Sequence, residues 1–143
     1  MTAITLSAAT EQEKDFIFEA YKLAMRNYVE WAWGWDDAFQ YVGLWASLPV
    51  TGFRLIKIAE QLAGAIYLEE NDEQHYLRTL FLQPEFQGMG IGTALLEQEI
   101  IHARNADKKL VLKVIKINPA KRLYDRLGFQ VIDEDSTTYH MQL

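Results

Sequence analysis

The feature that most constrains this chain is a glycine-rich segment where a predicted strand becomes a predicted helix. Residues 83–96 read QPEFQGMGIGTALL; an apolar, strand-like run (77–82) precedes the glycines and a helical pattern (93–103) follows them. Glycine lets a ligand lie directly against the backbone, and the first amides of a helix are unpaired donors at the positive end of its dipole. The segment therefore predicts a strand–loop–helix unit that binds an anion, with a diphosphate as the obvious candidate.

Two familiar phosphate-binding patterns do not fit this segment. A P-loop requires Lys followed by Ser or Thr after its last glycine, and no lysine stands there. A dinucleotide-binding G-x-G-x-x-G pattern would place Thr93 or Leu95 at the third glycine. The spacing that remains is Gln87, two residues, Gly90, one residue and Gly92. A glycine-rich turn without a ligand is the alternative interpretation.

A second motif, NPAKRLYDRLGF at residues 118–129, follows after one predicted helix and one predicted strand. Asn118 is suited to begin a helix with Pro119 at its first position, and Gly128 is suited to end it. Together the two motifs resemble those of the GNAT superfamily of N-acetyltransferases. The resemblance is strong over residues 62–129 and only topological before residue 53.

Apolar periodicity predicts the order β-α-α-β-β-β-α-β-α-β-β along the chain. A capping box, Thr10 with Glu13, begins the first helix, and Asp36 or Asp37 is suited to cap the second. The predicted fold is α/β: a single GNAT-like domain over residues 1–143, with a mixed, mostly antiparallel sheet flanked by helices.

Composition excludes several classes of protein. The chain has 143 residues, 50% of them apolar, which suits one domain with a real core. It lacks cysteine, its N-terminus has no signal-peptide pattern, and no apolar run approaches the roughly 18 residues of a membrane span. A net charge of −6 argues against nucleic-acid binding and mildly favours an amine partner. We expect a cytoplasmic protein without membrane or nucleic-acid partners.

The resemblance implies acetyl-CoA as the cofactor and no metal. The glycine loop would hold its diphosphate, the end of the predicted fourth strand would pair with the pantetheine amides, and the second motif would contact the pantetheine arm. The cofactor-binding residues implied in this way are Leu80, Phe81, Leu82, Gln87, Gly88, Met89, Gly90, Ile91, Gly92, Thr93, Asn118 and Ala120.

Tyr124 is the candidate catalytic residue. A phenol within hydrogen-bond reach can protonate the thiolate that leaves when an amine attacks the thioester. Ala120, four residues earlier on the same helical face, is small enough to let the cofactor pass. The alternative is that Tyr124 is an amphipathic core residue and Asn118 only a helix cap.

No general base is assigned. Relatives that acetylate histone-type lysines tend to carry Glu where this chain has Tyr76. Direct attack with proton loss through water is equally open. His75 is a further candidate for the base, although a single histidine beside a charged turn is expected to be exposed. The carboxylates considered are Glu69, Glu70, Glu73, Glu30, Asp36 and Asp37.

Three tryptophans, Trp31, Trp33 and Trp35, form the most distinctive segment outside the motifs. In the family this segment walls the acceptor site, where aromatic faces suit an ammonium group. A packed helical corner or a dimer surface is the alternative, and homodimers are common by base rate.

The sequence thus predicts an acetyl-CoA-dependent N-acetyltransferase that acts on a primary amine of a small molecule or protein, by direct attack in a ternary complex. A non-catalytic acyl-CoA sensor or partner-binding module on the same fold is the alternative.

Overall fold

The computed structural model describes residues 3–143 and has the element order that the sequence predicts. Met1 and Thr2, at the start of the predicted single domain, lie outside the described residues. The elements are β1 (Ile4–Ala8), α1 (Lys14–Trp33), α2 (Asp37–Ser47), β2 (Phe53–Ile58), β3 (Gln61–Glu70), β4 (Gln74–Leu82), α3 (Ile91–Asn105), β5 (Lys109–Ile115), α4 (Ala120–Arg126), β6 (Gln130–Glu134) and β7 (Thr138–Gln142).

The strands form one seven-stranded sheet in the order β1-β2-β3-β4-β5-β7-β6. The pairs β1/β2, β2/β3, β5/β7 and β6/β7 are antiparallel, whereas β4 and β5 are parallel. This parallel register runs from Gln74 opposite Lys109 to Leu77 opposite Leu112. Leu80, Phe81 and Leu82 lie beyond it. The predicted α/β fold with a mixed, mostly antiparallel sheet is confirmed.

The chain divides into two compact units, the first formed by residues up to Tyr67 together with Thr79–Met89. Its core is apolar and joins residues of α1, β2 and β3; in β3 the four residues from Ala63 to Ile66 are buried in succession. Phe53 and Ile17 are fully buried there, and Phe81 contributes from the end of β4. This unit contains α1, α2 and the glycine loop as far as Met89.

The second unit comprises Leu68–Arg78 and Gly90–Leu143. Five of the seven residues of β5 are buried, and the two exposed ones are Lys109 and Lys113. Leu96 of α3, Leu110 of β5 and Met141 of β7 are fully buried. The single-domain assignment of residues 1–143 stays a prediction, as does the cytoplasmic location. Within residues 3–143, no helix is both long enough and apolar enough to cross a bilayer.

Two boundaries are set by local interactions. α1 continues to Trp33 and ends where Gly34 takes a left-handed φ of 85°. The turn after β3 is short, because the side-chain oxygen of Asn71 accepts hydrogen bonds from the amides of Glu73 and Gln74, each at 2.8 Å.

Candidate functional site

The end of β4 is anchored in the core of the first unit by Phe81. Its ring makes edge contacts with Tyr21 at 5.6 Å and with Phe53 at 6.4 Å between centroids, and the side chain is buried. Leu80 and Leu82, which flank it, are half-buried. The backbone predicted to pair with pantetheine is thus held from one side by a packed aromatic ring.

Gly64 is a residue near this strand end that the sequence analysis missed. A Cβ at Gly64 would overlap the carbonyl oxygen of Phe81, so only glycine lets β3 approach β4 this closely. The register of β3 with β2 shifts here, which marks a bulge. An isolated glycine inside a strand pattern was the signal that could have identified it.

Gln83, directly after β4, links the end of β4 to the bulge in β3 through two hydrogen bonds. Its amide donates to the carbonyl of Ala63 and its side-chain Nε2 donates to the carbonyl of Leu62, both at 2.7 Å. These two hydrogen bonds, both accepted by main-chain carbonyls of β3, hold the end of β4 against the bulge. This role was also missed, because a single glutamine in a loop carries no sequence signal for it.

The loop itself begins with one 3-10 turn, Pro84–Phe86, and then becomes exposed. Gln87 Nε2 donates to the carbonyl of Leu82 at 2.9 Å, which ties the loop back to the strand. Gly88 has a φ of 75°, and nothing lies within 4 Å of a Cβ placed on it. Glycine is required there by its left-handed backbone, since side chains rarely adopt such angles. Met89 is exposed.

The first turn of α3 presents unpaired amides. Gly90 is its N-cap residue with a φ of 78°, and no side chain caps the helix. The first intrahelical hydrogen bond runs from the Ala94 amide to the Gly90 carbonyl at 3.0 Å. The amides of Ile91, Gly92 and Thr93 consequently have no intrahelical partner, which is the arrangement that binds anions at helix N-termini.

The second unit brings α4 against this turn. A Cβ at Gly92 would lie 3.7 Å from Leu123 Cδ2, so the start of α3 contacts the residue next to Tyr124. Asn118 Oδ1 accepts from the Ala120 amide at 2.9 Å, but α4 begins one residue later than predicted, with Pro119 as its N-cap residue. Gly128, with a φ of 99°, follows the end of α4, as predicted.

Tyr124 is buried, and its ring contacts Phe129 at 5.8 Å between centroids. Burial raises the pKa of Tyr124 from 10.0 to about 12, because the phenolate would lose hydration. Tyr124 is therefore a neutral phenol at pH 7.

The acidic residues considered as general bases are mostly engaged elsewhere. Asp36 Oδ1 accepts from the Phe39 amide at 2.8 Å and caps α2. Asp37 accepts from Lys22 Nζ at 2.6 Å and from Trp35 Nε1 at 2.5 Å, and these hydrogen bonds lower the pKa of its carboxyl. A carboxylate stabilised in this way is a weaker base.

The remaining candidates have partners or lie on a turn. Glu69 pairs with Arg78 at 3.0 Å, Glu70 Oε1 lies 2.9 Å from His102 Nε2, and Glu30 lies 3.8 Å from Arg26. Glu73 is on the exposed turn after β3. His75 was expected to be exposed, and this is wrong: it is only 2% exposed, because its position in β4 faces the interior.

The tryptophans separate into two environments. Trp31 and Trp33, in the last turn of α1, are 50% and 65% exposed. Trp35 lies against Phe18 and Tyr21 at 6.3 and 6.1 Å between ring centroids, with Arg26 over its face at 5.9 Å. The interpretation as a packed helical corner therefore holds for Trp35, whereas Trp31 and Trp33 present exposed aromatic faces.

Comparison with known proteins agrees with this architecture. The acetyltransferase (GNAT) domain family matches residues 51–141. An uncharacterized N-acetyltransferase from Methanocaldococcus jannaschii is 24% identical over 136 residues, which cover 88% of this chain and 60% of that relative. The chain thus spans less than two thirds of that protein's length.

Two solved structures share the fold. The PaiA N-acetyltransferase from Thermoplasma acidophilum, in complex with coenzyme A, has a TM-score of 0.71 at 20% identity, with 98% of each chain covered. The ribosomal-protein-S18-alanine N-acetyltransferase from Escherichia coli has a TM-score of 0.72 at 19% identity, covering 99% of this chain and 93% of that one. Since the family match extends over more than half of the sequence, the protein belongs to the GNAT acetyltransferase family, which uses acetyl-CoA.

Proposed function

We propose that this chain is an N-acetyltransferase that moves an acetyl group from acetyl-CoA to a primary amine of a small molecule or protein. The observation that carries the proposal is the first turn of α3, where Gly90 leaves the amides of Ile91, Gly92 and Thr93 without intrahelical partners. Such donors suit the diphosphate of coenzyme A. The turn stands in the loop that this family uses for its cofactor.

The cofactor would contact two further groups of backbone and side chains. Leu80, Phe81 and Leu82 lie past the β4–β5 register, so their backbone is available for strand-like pairing with the two amides of a pantetheine arm. The Leu82 carbonyl already accepts from Gln87, and a ligand amide would share or replace that bond. A backbone N–H at this strand end would also stabilise the oxyanion of the thioester carbonyl.

Asn118 and Ala120 would line the cofactor on the α4 side. Asn118 Oδ1 is bound to the Ala120 amide, which leaves the side-chain NH₂ of Asn118 to donate. Gln87, Gly88 and Met89 are exposed, so a ligand can reach their backbone without unfolding the loop. These residues fit a ligand that carries phosphate oxygens and amides.

Tyr124 would act as the donor toward the leaving sulfur. Because the pKa of Tyr124 is about 12, full proton transfer from its hydroxyl to a thiolate whose thiol has a pKa of about 8.5 is unfavourable by roughly 5 kcal/mol. A hydrogen bond that strengthens as charge develops on sulfur requires no such transfer. Acetyl-CoA supplies the activated acyl group, and Tyr124 would hold its proton on Oη until the sulfur carries negative charge.

The amine would lose its proton through water. Asp36, Asp37 and Glu69 are each engaged by another group, as described above, so none is a free base. Direct attack by the amine in a ternary complex needs only a path for one proton, which solvent supplies.

We propose that Trp31 and Trp33 contact the acceptor, because their aromatic faces are exposed and suit an ammonium group. The face of Trp35 is already covered by the guanidinium group of Arg26.

The engaged carboxylates also favour a second candidate function, a non-catalytic acyl-CoA sensor or partner-binding module. A site without a dedicated base can bind the cofactor and never turn over. Homodimer formation stays a prediction in either case, and fold alone does not separate the two functions.

The first experiment is a thermal-melt titration of the full chain with acetyl-CoA, coenzyme A and ADP in parallel, because a ligand of the native state raises the melting midpoint. We expect both coenzyme A species to raise it, followed by release of free thiol when a panel of amines and N-terminal peptides is added. Binding without thiol release from any amine favours the sensor. No shift at millimolar ligand contradicts both.

A further inference from the structure

We propose that Glu70, His75 and His102 form a binding site for a Zn²⁺ ion, independent of the proposed acetyl transfer. Glu70 is the last residue of β3, His75 is the second of β4, and His102 lies in the last turn of α3. One ligand atom from each lies within 4.8 Å of the others. All three belong to the second unit.

The contacts inside this cluster, here called the His–Glu cluster, are close. His102 Nε2 lies 2.9 Å from Glu70 Oε1. The rings of His75 and His102 lie 4.9 Å apart between centroids. Two imidazoles and one carboxylate therefore converge from three elements that are separate in sequence.

His75 provides the second, independent observation. It is 2% exposed, and its Nδ1 is buried without a hydrogen-bond partner. A buried polar atom without a partner loses its hydration with nothing in return and therefore requires an explanation. An ion pair between Glu70 and His102 leaves that nitrogen unexplained, whereas coordination through Nδ1 would give it a partner.

The donor set suits Zn²⁺ better than Ca²⁺ or Mg²⁺, which prefer oxygen ligands. A tetrahedral ion with bonds of about 2.0–2.1 Å requires donor atoms about 3.3 Å apart, so the widest pair would close by at most about 1.5 Å and the Glu70–His102 pair would open by about 0.4 Å. The side chains of Glu70 and His102 are 50% and 55% exposed and free to make that adjustment. Three protein ligands leave the fourth position to water.

The site lies far from the anion-binding turn on the same helix. His102 follows Ile91 by eleven positions in α3, which at 1.5 Å per residue is about 16 Å along the axis. Bound metal would tie the β3–β4 turn to the end of α3. We therefore expect it to support stability and to leave acetyl transfer unchanged.

The test uses untagged full-length protein, since a polyhistidine tag would add imidazoles. After treatment with EDTA and its removal, the chain is titrated with Zn²⁺ by calorimetry and with Co²⁺ by visible absorption, which reports tetrahedral coordination. His102→Gln and Glu70→Gln change exposed ligands and preserve the core; His75→Gln changes the buried one. His140→Gln is the matched control, because His140 is the third and last histidine of the chain and stands in β7.

We expect one equivalent of Zn²⁺ and a melting midpoint that rises by about 5 °C or more when free Zn²⁺ is about a hundredfold above Kd. His102→Gln and Glu70→Gln should each weaken binding at least about tenfold, and His140→Gln should bind as the wild type does. The proposal is overturned if the wild type binds no stoichiometric Zn²⁺, if His102→Gln retains wild-type affinity, or if His140→Gln loses as much affinity as His102→Gln.

Discussion

The two ends of α3 carry two kinds of chemistry that arise in different ways. At its start, Gly90 and three unpaired amides form a potential anion site from neighbouring residues. At its last turn, His102 meets Glu70 and His75 from β3 and β4. The first end depends on backbone geometry and the second on side chains that only folding brings together.

The two ends also differ in what they leave unsatisfied. The amides at the start of α3 follow an exposed loop, where water hydrates them until a ligand replaces it. The Nδ1 atom of His75 is buried, so water does not reach it. An exposed polar group costs little free energy when its ligand is absent, because water hydrates it. A buried polar group destabilises the fold until it has a partner.

The largest expected effect is in Tyr124→Phe, in α4, where the neighbouring Leu123 contacts the start of α3. Removal of the hydroxyl should lower kcat by about 10²–10⁴-fold, because the leaving sulfur loses its donor, while acetyl-CoA affinity is preserved. Steady-state kinetics with the best amine of the panel, together with a melt titration, measures both. Tyr139→Phe, in β7 of the same unit, is the control. Full turnover in Tyr124→Phe would remove Tyr124 from the mechanism.

The same residue predicts a pH dependence of stability. The pKa of Tyr124 is about 12 in the folded protein and about 10 when unfolded, so its contribution is complete below pH 10 and is lost as pH rises toward 12. The loss is at most about 3 kcal/mol. Urea unfolding at pH 9 and pH 11.5 measures it.

Tyr124→Phe should remove the part of the stability loss at high pH that comes from ionisation of Tyr124. Burial also raises the pKa of Tyr21, which is present in both proteins, so the difference between them isolates Tyr124. An equal loss in wild type and variant would show that Tyr124 ionises in the folded state as readily as in the unfolded one.

A charge at the first turn of α3 should separate helix stability from ligand binding. Thr93→Asp places an anion at the positive end of the helix, which should raise the free energy of unfolding by about 0.3–1 kcal/mol. The same charge repels the diphosphate and competes for its amides, so coenzyme A affinity should fall about tenfold or more. Calorimetric titration against Thr93→Asn, its uncharged counterpart, tests this; equal affinity in the two variants contradicts a diphosphate site here.

The smallest effect is expected at the other end of the helix. In EDTA, His102→Gln removes an exposed contact with Glu70 and a ring contact with His75, so the free energy of unfolding should change by less than about 1 kcal/mol. Its kcat should equal that of the wild type. Denaturant unfolding and steady-state kinetics check both values, and a loss of turnover like that of Tyr124→Phe would mean that the two ends of α3 are coupled.

Much of the fold was predictable because its signals are local. Residue type and position identified Asp36 as one of two candidate caps of α2, and they placed Asn118 beside the start of α4, where its side chain accepts from the Ala120 amide. No end of α1 was predicted, because its tryptophans do not break a helix and the break comes only at Gly34. Local signals identify elements better than they identify where an element ends.

The candidate site was predictable only in part, for a related reason. The glycine loop and Tyr124 belong to motifs with set spacing, and their roles remain predictions. The close approach that requires Gly64 was missed, because it depends on where β3 passes Phe81. The engagement of Asp37 by Lys22 was missed too, since fifteen positions separate them.

The sequence by itself determined the order of elements, the family and the glycine turn, because backbone conformation and helix capping depend on neighbouring residues. Only the tertiary structure decided that Trp35 packs while Trp31 and Trp33 stay exposed. It also decided that His75 is buried beside His102, a pair that sequence separation hides. Burial and side-chain convergence depend on contacts between distant segments, and these exist only after the chain has folded.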